Sequence, residues 1–467
     1  MIESIKKLNR KFLITPKILY FFVNLQYYTL HQFRGVFAKK KFGASDGDLA
    51  KYMGPMLGTI FFTNIFIGTM NDKFGRSHLF IVGALLLTCA LLQLFYVDLY
   101  VGIFPGMFWI NFLLYMAFNN GIPPLLDKAV LDYLNGIPEA GARAYGKQKL
   151  WGTAGYGLSC KVIEKCIKFG DDFKFENLRY YSLVTTAISA SLVFLLLKSP
   201  ASEGRAVRRD ITANCKELMR NRSYLFFILM ILLNGITRQA LSIYHTVYLT
   251  DVLQIKGYDL PDTWPSWLQS LVGFFNESPV ATTTMCGMVF EVIMLYNFPA
   301  ISKRIGLVWP FFIAQLFQIL RVGCYFVLDY DDPNVFLYCC LIELTRGVYF
   351  GLLQPSAVQL AMNLCPPHLK STSQMIYHGT FTALGSLATS LVFGNLFSED
   401  KMKGKDIPIE DRAANYKLFF FVNICFASVT TGLFVYKYFI LDRISRHSTD
   451  QEKKAIIESQ EEGVANK

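Results

Sequence analysis

Five charged side chains stand inside the apolar second part of this chain: Arg238, Glu291, Arg321, Glu343 and Arg346, with His245 and His378 as further titratable groups. In hydrocarbon each charge costs at least ~2.5–3.5 kcal/mol, so such groups face a partner, a bundle interior or a water-filled path. Glu343 and Arg346 are three residues apart and share a helix face, where they can neutralise each other. The same pair has a second use, because an arginine beside a buried carboxyl can release or recapture its charge as a proton or solute arrives. Glu291 is the alternative proton carrier. Arg238 follows Asn234 and Gly235 in mid-run, too deep to reach the headgroups, and is expected to face a central cavity. Arg34 stands near the end of its run beside Lys39–Lys41 and is expected to snorkel. In the first part, Asp127 follows Pro123-Pro124, and Lys149 and Trp151 open a later run. The Trp151 indole offers either packing or a flat surface for a sugar or nucleobase.

The elements that must position these groups are membrane helices. Of 467 residues, 53% are hydrophobic, 15% aromatic and only 17% charged, far from a soluble profile. Runs of ~20 apolar residues, enough to cross a ~30 Å hydrocarbon core, recur along the chain. Twelve spans are predicted: 16–37, 50–71, 77–97, 100–126, 148–168, 179–197, 223–250, 281–301, 307–328, 335–362, 372–397 and 415–440. The fold class is therefore all-α membrane protein, with twelve transmembrane helices in two six-helix halves. The expected organisation is an N-terminal segment 1–15, a first half 16–197, a central loop 198–222, a second half 223–440 and a tail 441–467. The positive-inside bias puts both termini and the Arg-rich central loop in the cytoplasm, with Lys39–Lys41 as an exception. Lys161, Glu164 and Lys165 suggest that the outer end of span 148–168 is amphipathic and protrudes; Trp264 and Trp267 read as interface belt residues, and the sequon at Asn276 is followed at once by Pro279. The opening residues carry no cleavage site, so the first span is expected to serve as its own insertion signal.

The net charge of +11 is explained by this sidedness rather than by nucleic acid. Ten cysteines, without CxxC or Cys/His spacing, read as small buried hydrophobes. No nucleophile, P-loop or metal motif is present, so no enzyme, cofactor or metal is expected.

One polar hinge remains. GTMNDKFGR (68–76) joins the second and third spans, and its Gly68, Asp72, Lys73, Gly75 and Arg76 exceed what a simple basic loop requires. The pattern resembles the loop signature of the major facilitator superfamily, which implies alternating access between two six-helix halves and a gating role for Asp72. The counterpart at Ser302-Lys303-Arg304-Ile305-Gly306 keeps the basic turn and one glycine but not the acid. Three further pieces resemble the lactose-permease-like branch of oligosaccharide and nucleoside proton symporters: PPLLD at 123–127, YGKQKLWGTAG at 145–155, and the KRIG turn followed by Arg321. PP…STSQ at 366–374 matches the same branch. The resemblance implies substrate or coupling roles for Asp127, Lys149, Trp151, Glu291 and Arg321, while their charge inside apolar runs makes Arg238, Glu343 and Arg346 candidates for the same roles. It favours Glu291, paired with Arg321, as proton carrier. Lys149 and Arg346 depart from the branch, which usually has arginine at the first position and often histidine at the second; the lysine loses the bidentate fork.

The leading expectation is thus proton-coupled symport of a small polar, sugar- or nucleoside-like solute, with the lipid bilayer and protons as partners. The excess of arginine over carboxylate makes an organic-anion carrier or exchanger the alternative. From another class, a transporter-like receptor or scaffold would accommodate the same departures.

Overall fold

The computed structural model describes residues 12–74, 76–97, 106–137, 145–170, 172–197, 217–258, 260–366, 369–397 and 408–443. Among them, helix occupies most of every predicted span. The first comprises α1 (Ile14–Tyr27) and α2 (Arg34–Phe42). Then follow α3 (Gly54–Phe74), α4 (Ser77–Leu94), α5 (Met107–Asn135), α6 (Tyr145–Ile167) and α7 (Leu178–Leu196). The later helices are α8 (Arg222–Val247), α9 (Ser266–Asn276), α10 (Pro279–Ile305), α11 (Val308–Val327) and α12 (Val335–Asn363). The last are α13 (Lys370–Gly379), α14 (Gly385–Phe393) and α15 (Ile409–Val435). Seven helical stretches among the described residues are long and apolar enough to cross a membrane.

Local chemistry sets several ends. Asn221 caps α8, its side-chain oxygen accepting the Tyr224 N–H at 3.1 Å. At the other end of the scheme, Lys303 and Arg304 fill the last turn of α10, and Gly306 at φ 72° lets the chain leave it. Glu410 and Asp411 occupy the first turn of α15, where acids favour the helix dipole. Wide π-turns continue several helices, at Leu49–Met53, Tyr248–Val252, Thr380–Leu384 and Tyr436–Leu441.

The chain divides into two compact units. The first comprises residues 1–45, 59–207 and 270–281, and the second 46–58, 208–269 and 282–467. In the first, α1 packs on α6 and α7, and α4 on α5 and α7; its core includes Leu19, Val23, Ile81, Leu85, Ile122 and Leu126. In the second, α11 packs on α12 and α15, and α8 on α14; its core includes Phe227, Met230, Phe311, Tyr349, Leu353 and Phe434.

Two expectations need correction. The first span is not one helix: residues 28–33 turn between α1 and α2, and Arg34 is buried rather than snorkelling. The outer end of α6 does not protrude, since Lys161 and Glu164 are buried against backbone groups of residues 274–281. The lysines that break the charge bias have acid partners. Lys40 meets Asp172 at 2.8 Å and Lys41 meets Glu176 at 2.5 Å, pinning α2 to the hairpin of β1 (Lys168–Phe169) and β2 (Asp172–Phe173).

Candidate functional site

The second unit gathers its charges around one carboxylate. Glu343, on α12, is 2% exposed, and its Oε1 accepts from Arg321 Nη2 at 2.7 Å, Arg321 Nε at 3.0 Å and the Tyr325 hydroxyl at 2.9 Å. Arg346 Nε stands 2.9 Å from Oε2, the same-face pair that the spacing suggested. His245 of α8 lies 3.6 Å from Oε1 and packs edge-on against Tyr325. Three helices thus converge on a single negative charge. Burying it is tolerable because Oε1 accepts from a guanidinium and a phenol and Oε2 stands against a second guanidinium.

The pairing of Arg321 differs from the expectation. Its carboxylate partner is Glu343, not Glu291, because α11 and α12 are neighbours that bring positions 321 and 343 face to face. Glu291, on α10, lies in the electrostatic field of Arg346 and Arg238 without an ion pair to either among the described residues. Arg346 therefore acts on both carboxyls, and its Nη2 also donates to the Thr284 carbonyl at 2.6 Å. Gly287 makes room for it, since a Cβ there would stand 2.7 Å from Arg346 Nε. Arg238 lies over the rings of Phe350 and Phe381, 5.1 and 5.4 Å from their centroids.

The first unit carries a smaller constellation. Asp127, on α5 just past Pro123 and Pro124, accepts the Tyr20 hydroxyl at 2.6 Å through one oxygen and Lys149 Nζ at 2.9 Å through the other. The three side chains come from α1, α5 and α6. Trp151 is not brought to this pair: two positions along a helix turn the side chain by about 200°. Trp151 is 45% exposed, with Lys17 Nζ 6.0 Å from its ring centroid. About two turns further along the same three helices, Tyr28 and Tyr156 approach to 4.0 Å between centroids, and Tyr27 donates to Asn120 at 3.1 Å. Sequence reasoning marked Asp127 and Lys149 but passed over Tyr20, whose position four residues before Asn24 on the polar side of α1 was a usable signal.

A third group was misread entirely. Glu164 is fully buried and accepts the backbone N–H groups of Val280 and Ala281, at 3.2 and 2.5 Å, at the N-terminus of α10. Lys161, one turn earlier, donates to the Phe274 carbonyl and lies over its ring. Gln32 Nε2 adds a bond to the Val280 carbonyl at 3.1 Å. A carboxylate at a helix N-terminus meets both the unpaired N–H groups and the positive dipole end.

Of the hinge residues, Gly68, Asp72 and Lys73 belong to the end of α3, where the side chains lie outside the described residues, as Gly75 does altogether. Arg76 is exposed and precedes α4 at its N-cap position.

Apolar helices of spanning length hold these charge clusters in an integral membrane protein, and its match to a transporter family makes it a membrane transporter rather than an enzyme. The model of the MFS_1-like family matches residues 13–404, and the chain belongs to that family, with the major facilitator fold. Among curated proteins it is 24% identical to a maltose permease of Geobacillus stearothermophilus over 323 residues, 68% of this chain and 71% of that one. Among solved structures it resembles the nucleoside transporter NupG, with a TM-score of 0.69 at 16% identity, covering 91% of this chain and 99% of that chain. An auto-inhibited POT family peptide transporter gives a TM-score of 0.62 at 12% identity, covering 90% and 96%.

Proposed function

We propose that the chain is a secondary active transporter that couples proton movement to symport of a small polar solute, sugar-like or nucleoside-like, by alternating access with both termini in the cytoplasm. The observation that carries this reading is the Glu343 centre, a buried carboxylate held by Arg321, Tyr325, Arg346 and His245. Glu343 acts as the fixed counter-charge, since protonating it would strip two guanidiniums of their partner. Glu291 is the carboxyl that takes and returns the proton. Arg346 links them: when Glu291 loses its proton the guanidinium gains a competing anion, and the contacts tying α10 to α12 redistribute. The solute is bound with help from Asp127 and Lys149, whose paired acceptor and donor suit vicinal hydroxyls. The names of the similar proteins, a maltose permease and a nucleoside transporter, support the same solute classes.

The test uses purified protein in proteoliposomes, with uptake of maltose and uridine measured with and without an inward proton gradient. Wild type is expected to accumulate one of them uphill. Glu291→Gln should lose accumulation while keeping solute exchange, and a variant that still accumulates would remove Glu291 from the proton path.

A second reading, transport of an organic anion, is favoured by Arg238, whose guanidinium meets phenyl rings and no carboxylate ion pair among the described residues. Uptake of a small carboxylate that ignores the proton gradient and fails in Arg238→Gln would select it.

A further inference from the structure

The α11–α15 contact in the second unit contains a polar group outside the Glu343 centre. Two ring stacks fix its register: Phe311 on Phe434, with centroids 4.9 Å apart and planes at 3°, and Tyr325 on Phe420, at 5.7 Å and 16°. The helices run antiparallel, and the two stacks are equally separated along each of them, about 21 Å at 1.5 Å per residue. Gln318 falls midway on the stacked face of α11, with Gln315 one turn nearer Phe311. Level with Gln318 and Gln315 on α15 are Ala427 and Thr430, with Asn423 one turn nearer Phe420.

All of these residues are buried, and Gln315, Gln318 and Asn423 are at most 2% exposed. Yet both amide atoms of Gln315, both of Gln318 and Oδ1 of Asn423 have no partner among the described residues. Asn423 spends its amide N–H on the Thr237 carbonyl, and Thr430 and Thr431 spend their hydroxyl protons on carbonyls one turn back, leaving oxygen lone pairs. Unmet amides in one helix contact call for a ligand that donates and accepts at short range.

We infer that this contact is an internal water site, in which ordered water bonded to Gln315, Gln318 and Asn423 is enclosed between the Phe311–Phe434 and Tyr325–Phe420 stacks. Water fits better than a metal ion, since the side chains offer amide N–H donors as well as oxygens and no carboxylate. Tyr325 belongs to both places: its ring closes the outer end of the site, and its hydroxyl donates to Glu343. The site stands independently of which solute is carried, or whether one is.

X-ray hydroxyl-radical footprinting with mass spectrometry tests this, because radicals made from bound water oxidise the side chains beside it. Phe311 and Phe434 should be labelled at least several-fold faster than Phe227, a ring equally buried in the same unit. Gln315→Leu with Gln318→Leu should abolish the excess, and Gln318→Leu alone serves if the double variant does not fold. Labelling of Phe311 and Phe434 no faster than Phe227 in wild type would overturn the inference. So would a sodium-dependent rise in Tm that Gln318→Leu removes, since the occupant would then be an ion.

Discussion

Removing the charge of Glu343 is the sharpest perturbation of this protein. Glu343→Gln preserves shape but leaves Arg321 and Arg346 facing each other without a carboxylate, in a place where Arg321 is 4% exposed. Breaking a buried pair by neutralising one member costs about 3–5 kcal/mol, whereas a solvated surface pair is worth about 0–1 kcal/mol. Here one carboxylate serves two guanidiniums and a phenol, so the expected loss is at the upper end, about 4–5 kcal/mol. At about 2–4 °C per kcal/mol for a domain of this size, Tm in detergent should fall by roughly 8–20 °C. Replacing both sides, Glu343→Leu with Arg321→Met, should cost less than Glu343→Gln alone, because one of the stranded charges goes with its partner. Near-UV circular dichroism on heating reads both. A fall of 2 °C or less for Glu343→Gln would mean that water already solvates the centre, and the argument from burial would fail.

Two further outcomes concern the first unit. Glu164→Leu removes the acceptor for two N–H groups at the start of α10, each charge-assisted bond worth about 1.5–3 kcal/mol, so amide exchange at Val280 and Ala281 should accelerate at least tenfold; unchanged protection would show that the N-terminus of α10 is held by something else. The Lys40 contact, with a backbone N–H from Phe173, holds the Asp172 carboxyl below its ordinary value. A depressed carboxylate stabilises the fold above its unfolded pKa and loses that contribution as pH falls through the folded value. Protection of the 168–173 hairpin should therefore be flat from pH 7 to 5 and decline below about pH 4, and a decline that begins near pH 6 would point to another group.

The helices were legible because length and hydropathy are local properties, and the candidate charges were legible because each is costly in lipid. Their pairing was not. Nothing local says that position 321 meets 343 rather than 291; that follows from which helices are neighbours. Glu164 was misread for a related reason, since its partners are backbone N–H groups, which every residue type carries except proline. The break after Tyr27 has no proline or glycine until Gly35, so the apolar run reads as continuous. Likewise α9, WLQSLVGFFN after Ser266, fell between two predicted spans, although its apolar residues recur at helical spacing.

The wide turn at Thr380–Leu384 has a consequence for how this chain can change over generations. It lies where α8 comes closest, with Gly235 so near that an added Cβ would stand 2.7 Å from the Phe381 carbonyl and 3.4 Å from the Gly385 Cα. A π-turn is in effect one residue inserted into an α-helix. Deleting one residue there restores regular geometry but rotates everything on one side by about 100°, carrying Gly385 and Thr389, which bonds the Ile236 carbonyl, away from α8. A lineage that acquired the insertion and then packed Gly385 against Gly235 cannot lose it by a single deletion; the return path must pass through a misaligned helix. The length of the turn and the glycines at 235 and 385 are therefore held together.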